Sequence, residues 1–430
     1  MSYVGVPPFG QTVRTVTERI AQQDQTIFYP DGGYLPGYID VELDGSDLGS
    51  QDFTATDGLS VVLAQKAGAG SLFRTKAYWP VSLIDTMRRG EINSIVGAGG
   101  WAMRNRVING AMSVAQYGAS TTVNGGGTRG FSVDRFAAYS ATNACTVSQS
   151  SVAPSGFSKS LQYTQTGTGA VGAGDIGLVI HRVEGLNTSD LNWGTSAAAP
   201  VTISFWARSS LTGTFGLTVL NDGQDRRYTT SYTITQANTW EQKTIVIPGC
   251  TDGTWRVDNG IGLGVCWDMG CGTSYSAAAD TVWGTSTRYG LTGGTKVCAT
   301  TGATFNITGV QLEKGSYATP FDFRPYGAEL ALCQRYFERG NPKVFVNGTY
   351  ALGAYTNTGT GSYSFKQVKR ASPTMTMNGF NNIDNASNAG IYATGGQDSG
   401  DSFCFTLTIN SYTNYPYALA YINFSASSEL

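Results

Sequence analysis

Apolar residues recur at every second position over short segments interrupted by Gly, Asn, Asp or Pro, and this pattern confines the chain to short antiparallel strands. The clearest runs are 38–43, 59–63, 201–208, 215–220, 227–235, 240–247, 304–312 and 403–409. Helical periodicity is rare. It is best in 328–339, where Leu330, Cys333 and Phe337 fall at i, i+3 and i+7. A second stretch, 82–89, opens on Ser82 as a candidate cap with Asp85 in its first turn. The expected fold class is all-β, and the absence of a fixed-period repeat argues against a long parallel β-helix.

A chain of 430 residues has room for several such units. Residues 1–80 read as a small β domain with hairpin cues at Leu43-Asp44-Gly45-Ser46 and Thr56-Asp57-Gly58-Leu59. Residues 81–104 read as a linker; its Gly97-Ala98-Gly99-Gly100 does not join a strand to a helix, so a phosphate cradle is not indicated. Residues 105–325 hold enough strands for a two-sheet jelly roll, and 326–430 a short helix followed by a C-terminal β domain.

Several function classes are disfavoured by composition. Only 13% of residues are charged, against about 25% in typical soluble domains, so surface polarity must come from Ser, Thr, Asn, Gln and Gly. A net charge of −2 gives no drive toward nucleic acid or an anionic membrane, and neither is an expected partner. The single histidine, His181, lies in an apolar strand-like run and is read as a packed residue, which leaves no histidine cluster for a metal or a relay. No catalytic residue, metal site or cofactor is assigned. Seven cysteines cannot all pair within one chain; buried thiols are the default, with Cys266 and Cys271 the one intrachain pair to watch. The N-terminus lacks a signal-peptide pattern and no run reaches about 18 apolar residues, so cytoplasmic synthesis without membrane insertion is expected.

Three blocks carry a resemblance. Asn105-Arg106-Val107-Ile108-Asn109-Gly110-Ala111-Met112, Val133-Asp134-Arg135-Phe136 and Pro200-Val201-Thr202-Ile203-Ser204-Phe205-Trp206-Ala207 resemble a module of bacteriophage tail-fibre proteins. Its ending is matched by Gly309-Val310-Gln311-Leu312-Glu313-Lys314-Gly315-Ser316, Ala318-Thr319-Pro320-Phe321 and Glu329 through Phe337. The resemblance implies a β-sandwich similar to carbohydrate-binding modules, carried on a virion appendage. Less specifically, Gln25 to Tyr29, Gly37 to Gly45 and Asp52 to Thr56 resemble the layout of the virion-attachment domain of short-tailed phage fibres. The implied function is a structural tail fibre that docks to other tail or virion proteins through 1–80 and meets host surface polysaccharide through its distal β domains. Open alternatives are a glycan-degrading tail depolymerase and a collar, neck or capsid-decorating fibre. The module family often holds Ca²⁺, but Asn109-Gly110-Ala111-Met112 lacks the carboxylate usual there, and no such site is assigned.

A glycan site needs flat aromatic faces beside amide, hydroxyl or carboxylate groups. Of the tryptophans at 193, 206, 240, 255, 267 and 283, the candidates are Trp206, which alternation places opposite Ile203 and Phe205, and Trp255 and Trp283, which lie in Gly-rich loops. Trp206 fits a packed role as well as a groove. Asp222, Asp225, Asp252, Asp258 and Asp268 are carboxylates available to a hydrolase, though turn residues of this kind most often shape turns. Residues beyond about 340 are rich in Tyr among Ser, Asn and Gly, which suits adaptable contact loops; Tyr412, Tyr415 and Tyr417 are the candidates there. This composition also suits a subunit interface, and a homotrimer packed through 82–89 and 328–339 is expected. On this reading a chain ending after Arg339 would still dock while losing adsorption.

Overall fold

A computed structural model describes residues 12–31, 33–80, 103–141, 143–167, 169–347, 349–351, 354–384, 389–392, 402–410 and 417–430. It divides into two compact units, Met1–Ala102 and Met103–Leu430. Each of the eight strand runs read from alternation overlaps a strand, though 59–63 does so only from Val61, and the fold is all-β. No helix among the described residues is long and apolar enough to cross a membrane.

In the first unit, Thr12–Ile20, Leu72–Pro80, Ile39–Leu43 and Ser46–Asp47 form one sheet, and Gln25–Phe28, Val61–Ala67 and Phe53–Thr54 a second. Phe28 and Phe73 stack at 3.9 Å in a core with Val41 and Val61. The first hairpin cue turns as its residues dictate: Asp44 (φ 49°) and Gly45 (φ 82°) both adopt the left-handed conformation a two-residue hairpin requires. At the second, Asp57 accepts hydrogen bonds from the Ser60 hydroxyl and from the Ser60 and Leu59 amides, and these hold its carboxyl well below the usual carboxylate range. Residues 81–102, including the expected linker helix 82–89, lie outside the described residues.

The second unit is built on a sandwich whose strands we number β1 (Ser120–Val123), β2 (Thr128–Phe131), β3 (Phe136–Ser140), β4 (Cys145–Ser150), β5 (Ser160–Gln165), β6 (Gly177–Glu184), β7 (Val201–Ser209), β8 (Gly213–Leu220), β9 (Arg227–Ile234), β10 (Glu241–Ile247), β11 (Ile261–Asp268) and β12 (Thr304–Lys314). Sheet one runs β9-β8-β11-β6-β3-β2 and sheet two β10-β7-β12-β5-β4-β1. Alternation decides which side chains face inward. On β7, Val201, Ile203, Phe205 and Ala207 are fully buried between the sheets, while Trp206 and Arg208 on the other face are half-buried. Facing them, Phe215, Leu217 and Val219 of β8 and Val265 and Trp267 of β11 complete the core. His181 is packed there too, its ring 4.6 Å from that of Phe136.

After β12 the chain forms helix α1 (Tyr326–Gln334), two residues earlier at its start than the periodicity predicts and five shorter at its end. The end is set by pairing. Phe337–Gly340 joins Tyr417–Ser427 antiparallel, so the residues read as the last helical turn become a strand. Cys333 of α1 packs with Ile108, Val114, Tyr336 and Leu430, so this helix face is buried within its own chain. The described C-terminal strands form two sheets, Phe337–Gly340, Tyr417–Ser427, Lys343–Asn347 and Thr374–Asp384 in one and Thr349–Ala351, Ala354–Ser364, Ser402–Asn410 and Ala389–Tyr392 in the other.

The blocks that carry the family resemblance meet in space. Asn105 donates to the Val310 carbonyl and accepts from the Val107 and Leu312 amides. Arg324 donates to the Val107 carbonyl and lies within 3.3 Å of Glu329, which in turn accepts from the Asn109 amide 2.5 Å away. These residues staple the entry of the sandwich to its exit. Their role is structural, since an unpaired group in so buried a network costs about 1–3 kcal/mol.

Candidate functional site

Three tryptophans converge from the 185–199, 248–260 and 278–289 connections. Trp193 lies edge to face with Trp255 (4.6 Å between ring centres) and Trp283 (5.2 Å), and Trp255 and Trp283 are 5.4 Å apart. The indole N–H groups are committed to main-chain carbonyls: Trp193 to Ala199 at 2.7 Å, Trp255 to Asp252 at 3.1 Å and Trp283 to Pro248 at 3.0 Å. What remains for a ligand is ring surface. Trp193 is buried, while Trp255 and Trp283 are half-exposed and pack against the sandwich core.

Beside them lies a cleft of about 160 Å³ lined by Thr188, Ser189, Asn192, Trp193, Trp255 and Val257, among others. Its polar wall is set by local bonds. The Thr188 hydroxyl donates to the Gly185 carbonyl, and that of Thr195 donates to the Asn192 carbonyl. Two ion-pair groups rim the site. Arg226 bridges to Asp252 at 2.9 and 3.0 Å, and Arg256 bridges to Asp258 at 2.9 and 2.8 Å with Asp222 at 3.3 Å. The guanidiniums hold the Asp252 and Asp258 carboxyls below the usual range, that of Asp258 at about 2. These carboxylates are therefore ionised and engaged, which suits scaffolding of the loops better than proton donation to a leaving group.

The structure brings Trp255 and Trp283 together and adds Trp193, which sequence reasoning did not single out although Asn192 and Thr195 flank it. Trp206 is elsewhere, on the outer face of sheet two. Gly309, at φ +62°, has no room for a Cβ, which would meet both the Trp206 and the Phe157 rings. The Phe157 ring centre is 5.1 Å from that of Phe321 and 5.2 Å from that of Phe323, and Trp206 itself is half-buried. Tyr412 and Tyr415 lie outside the described residues; Tyr417 begins the strand Tyr417–Ser427, and its side chain is not among those described. Asp268 is buried under the Gly270, Cys271 and Leu291 amides and Lys296, with no access to a ligand. Cys266 and Cys271 are buried free thiols, not a disulfide, and burial pushes both thiols up, that of Cys266 to about 12. Among the described residues no group of three or more His, Cys, Asp or Glu could hold a metal ion.

No protein-family model matches the sequence, and no curated protein does. Among solved structures, the chain is similar to the enzymatically active domain of tailspike protein 4 of bacteriophage CBA120, at 13% identity and a TM-score of 0.27 over 49% of this chain and 21% of that one. The match thus spans about a fifth of the tailspike domain. A CBM4 structure is similar at 13% identity and a TM-score of 0.25, over 48% of this chain and 99% of that one. A family 11 carbohydrate-binding module from Clostridium thermocellum, solved with a beta-1,3-1,4-mixed-linked tetrasaccharide, is similar at 12% identity and a TM-score of 0.24, over 46% and 98%. Likenesses at this level identify neither a family nor a ligand for this chain.

Proposed function

We propose that this protein is a non-enzymatic bacteriophage appendage protein, a tail fibre or related structure, that contacts host-surface glycan through the loop end of its sandwich. The observation that carries the glycan half is the convergence of Trp193, Trp255 and Trp283 beside a small polar-walled cleft. Aromatic surface next to fixed hydroxyl and amide groups is the chemistry a sugar ring requires. The phage half is supported by the sequence resemblance of the 105–112, 133–136, 200–207 and 309–337 blocks. On this reading the N-terminal unit docks to the particle, the protein is a virion component made in the host cytoplasm, and the assembled form is a homotrimer.

Affinity electrophoresis of the purified chain in gels containing candidate host-envelope polysaccharides tests the binding claim, with the same mixtures assayed for new reducing ends. Retardation without cleavage supports the proposal. Release of reducing ends or unsaturated sugars at catalytic rates would make it a depolymerase instead. Labelled protein imaged on intact particles separates a tail location from a collar or capsid one, and light scattering at three times 45.5 kDa tests the trimer.

A further inference from the structure

The cleft beside Trp255 is small and its charge is spent. Pockets that enclose a drug-sized ligand measure about 300–1,000 Å³, whereas this one holds about 160 Å³, room for a single ring. One wall is aromatic, from Trp193 and Trp255; the other is the turn 188–195, with Thr188, Ser189 and Asn192. Among the described residues Arg256 is the only cation lining it, and its guanidinium is bridged by Asp258 and approached by Asp222. An anionic group entering here would compete with two carboxylates for one guanidinium, so a charged ligand is disfavoured.

Resting on the glycan-contact reading above, we propose that this cleft takes one neutral pyranose unit, a chain end or a side branch, and does not hold an extended run of a polysaccharide. The apolar face of the ring lies against Trp255, and its hydroxyls meet the 188–195 turn. Since both tryptophan N–H groups are bonded to carbonyls and the Thr188 and Thr195 hydroxyls are fixed by the backbone, the site is formed before the sugar arrives. A single ring of about a dozen heavy atoms then binds on the order of 1 mM.

The test is saturation-transfer NMR and intrinsic tryptophan fluorescence of the full chain with the methyl glycosides of glucose, galactose, mannose, N-acetylglucosamine and glucuronic acid, each beside a trisaccharide ending in the same residue. We expect at least one neutral glycoside to bind near 1 mM, its trisaccharide to bind within about threefold of it, and the glucuronide to bind at least about tenfold more weakly. Two variants localise the signal. Trp255→Ala removes the aromatic wall, and Val257→Arg fills the mouth from a residue that is 59% exposed, so the fold does not depend on it. Each should weaken binding at least about tenfold, with the melting temperature of Val257→Arg unchanged. Affinity rising more than tenfold from one ring to three would overturn the single-unit claim, as would full binding by Val257→Arg. If no glycoside binds while polysaccharide still retards the chain, the cleft proposal fails and glycan contact survives elsewhere. If neither binds, both fall.

Discussion

Arg135 and Glu429 form a buried ion pair across 294 residues of sequence, closing the end of the chain onto the start of the sandwich. The Arg135 guanidinium also lies 3.6 Å above the Tyr336 ring and donates to the Arg182 carbonyl at 2.6 Å. Arg129 and Arg182 both donate to the Leu430 carbonyl, and Arg370 donates to that of Ser428. Residues beyond 340 are thus tied to the sandwich at their far end. Glu429→Ala leaves Arg135 buried without its partner, and a loss of about 3–5 kcal/mol in urea unfolding is expected. Replacing both with apolar residues, Arg135→Met with Glu429→Leu, should cost less than the single change. Truncation after Arg339 removes Glu429 as well, so the expected product is a poorly folded chain, and not an assembled fibre that lacks only its tip.

His181 makes stability depend on acid. Its ring is buried, its Nδ1 has no hydrogen-bond partner among the described residues, and burial together with nearby Arg135 holds its pKa well below the usual 6.5. The unfolded chain therefore takes up a proton near pH 6.5 that the folded chain refuses, and this contribution to stability is lost as pH falls below that value. Asp134 acts in the opposite sense. Burial raises its carboxyl to about 6, so the folded state takes up that proton first and gains stability between about pH 6 and 4. His181→Leu leaves the Asp134 contribution in place. The stability difference between His181→Leu and the unaltered chain should shift in favour of the variant by about 1.4 kcal/mol per pH unit below 6.5, read from urea midpoints at pH 7.5, 6.5 and 5.5.

Six cysteines, at 145, 250, 266, 271, 298 and 333, are free and buried. A thiol reagent should therefore modify at most one of the seven per native chain and all seven in urea. Non-reducing electrophoresis is expected to give monomers; covalent multimers would show that a thiol pairs between chains.

Strand placement was legible because apolar residues alternate in runs such as 201–208 and 215–220; the alternation marks the face turned to the core, although the other face of 215–220 is buried as well. Phe337 was misread as helical because its i+7 spacing from Leu330 reports nothing about the strand Tyr417–Ser427 that recruits it. The same limit divides the tryptophans. Gly-rich flanks pointed to Trp255 and Trp283, which meet in space, whereas Trp206 is half-buried on the other face of β7 from Ile203 and Phe205. Trp206→Ala should accordingly lower stability by about 2–4 kcal/mol while leaving glycan affinity unchanged in the same electrophoresis assay. The resembling blocks were recognisable as sequence, yet Asn105, Arg324 and Glu329 hold the sandwich closed and do not form its ligand site.

Glycan contact without catalysis is what the proposed function assigns to the Trp193–Trp255–Trp283 loop end. The most direct measurement is retention of the unaltered chain and of Val257→Arg on an array of bacterial surface glycans, followed by chain-length analysis of every glycan retained. A subset ending or branching in one neutral pyranose should be retained at unchanged length, and Val257→Arg should lose that subset while melting at the same temperature. Retention that survives Val257→Arg, or glycans shortened on contact, would contradict that assignment.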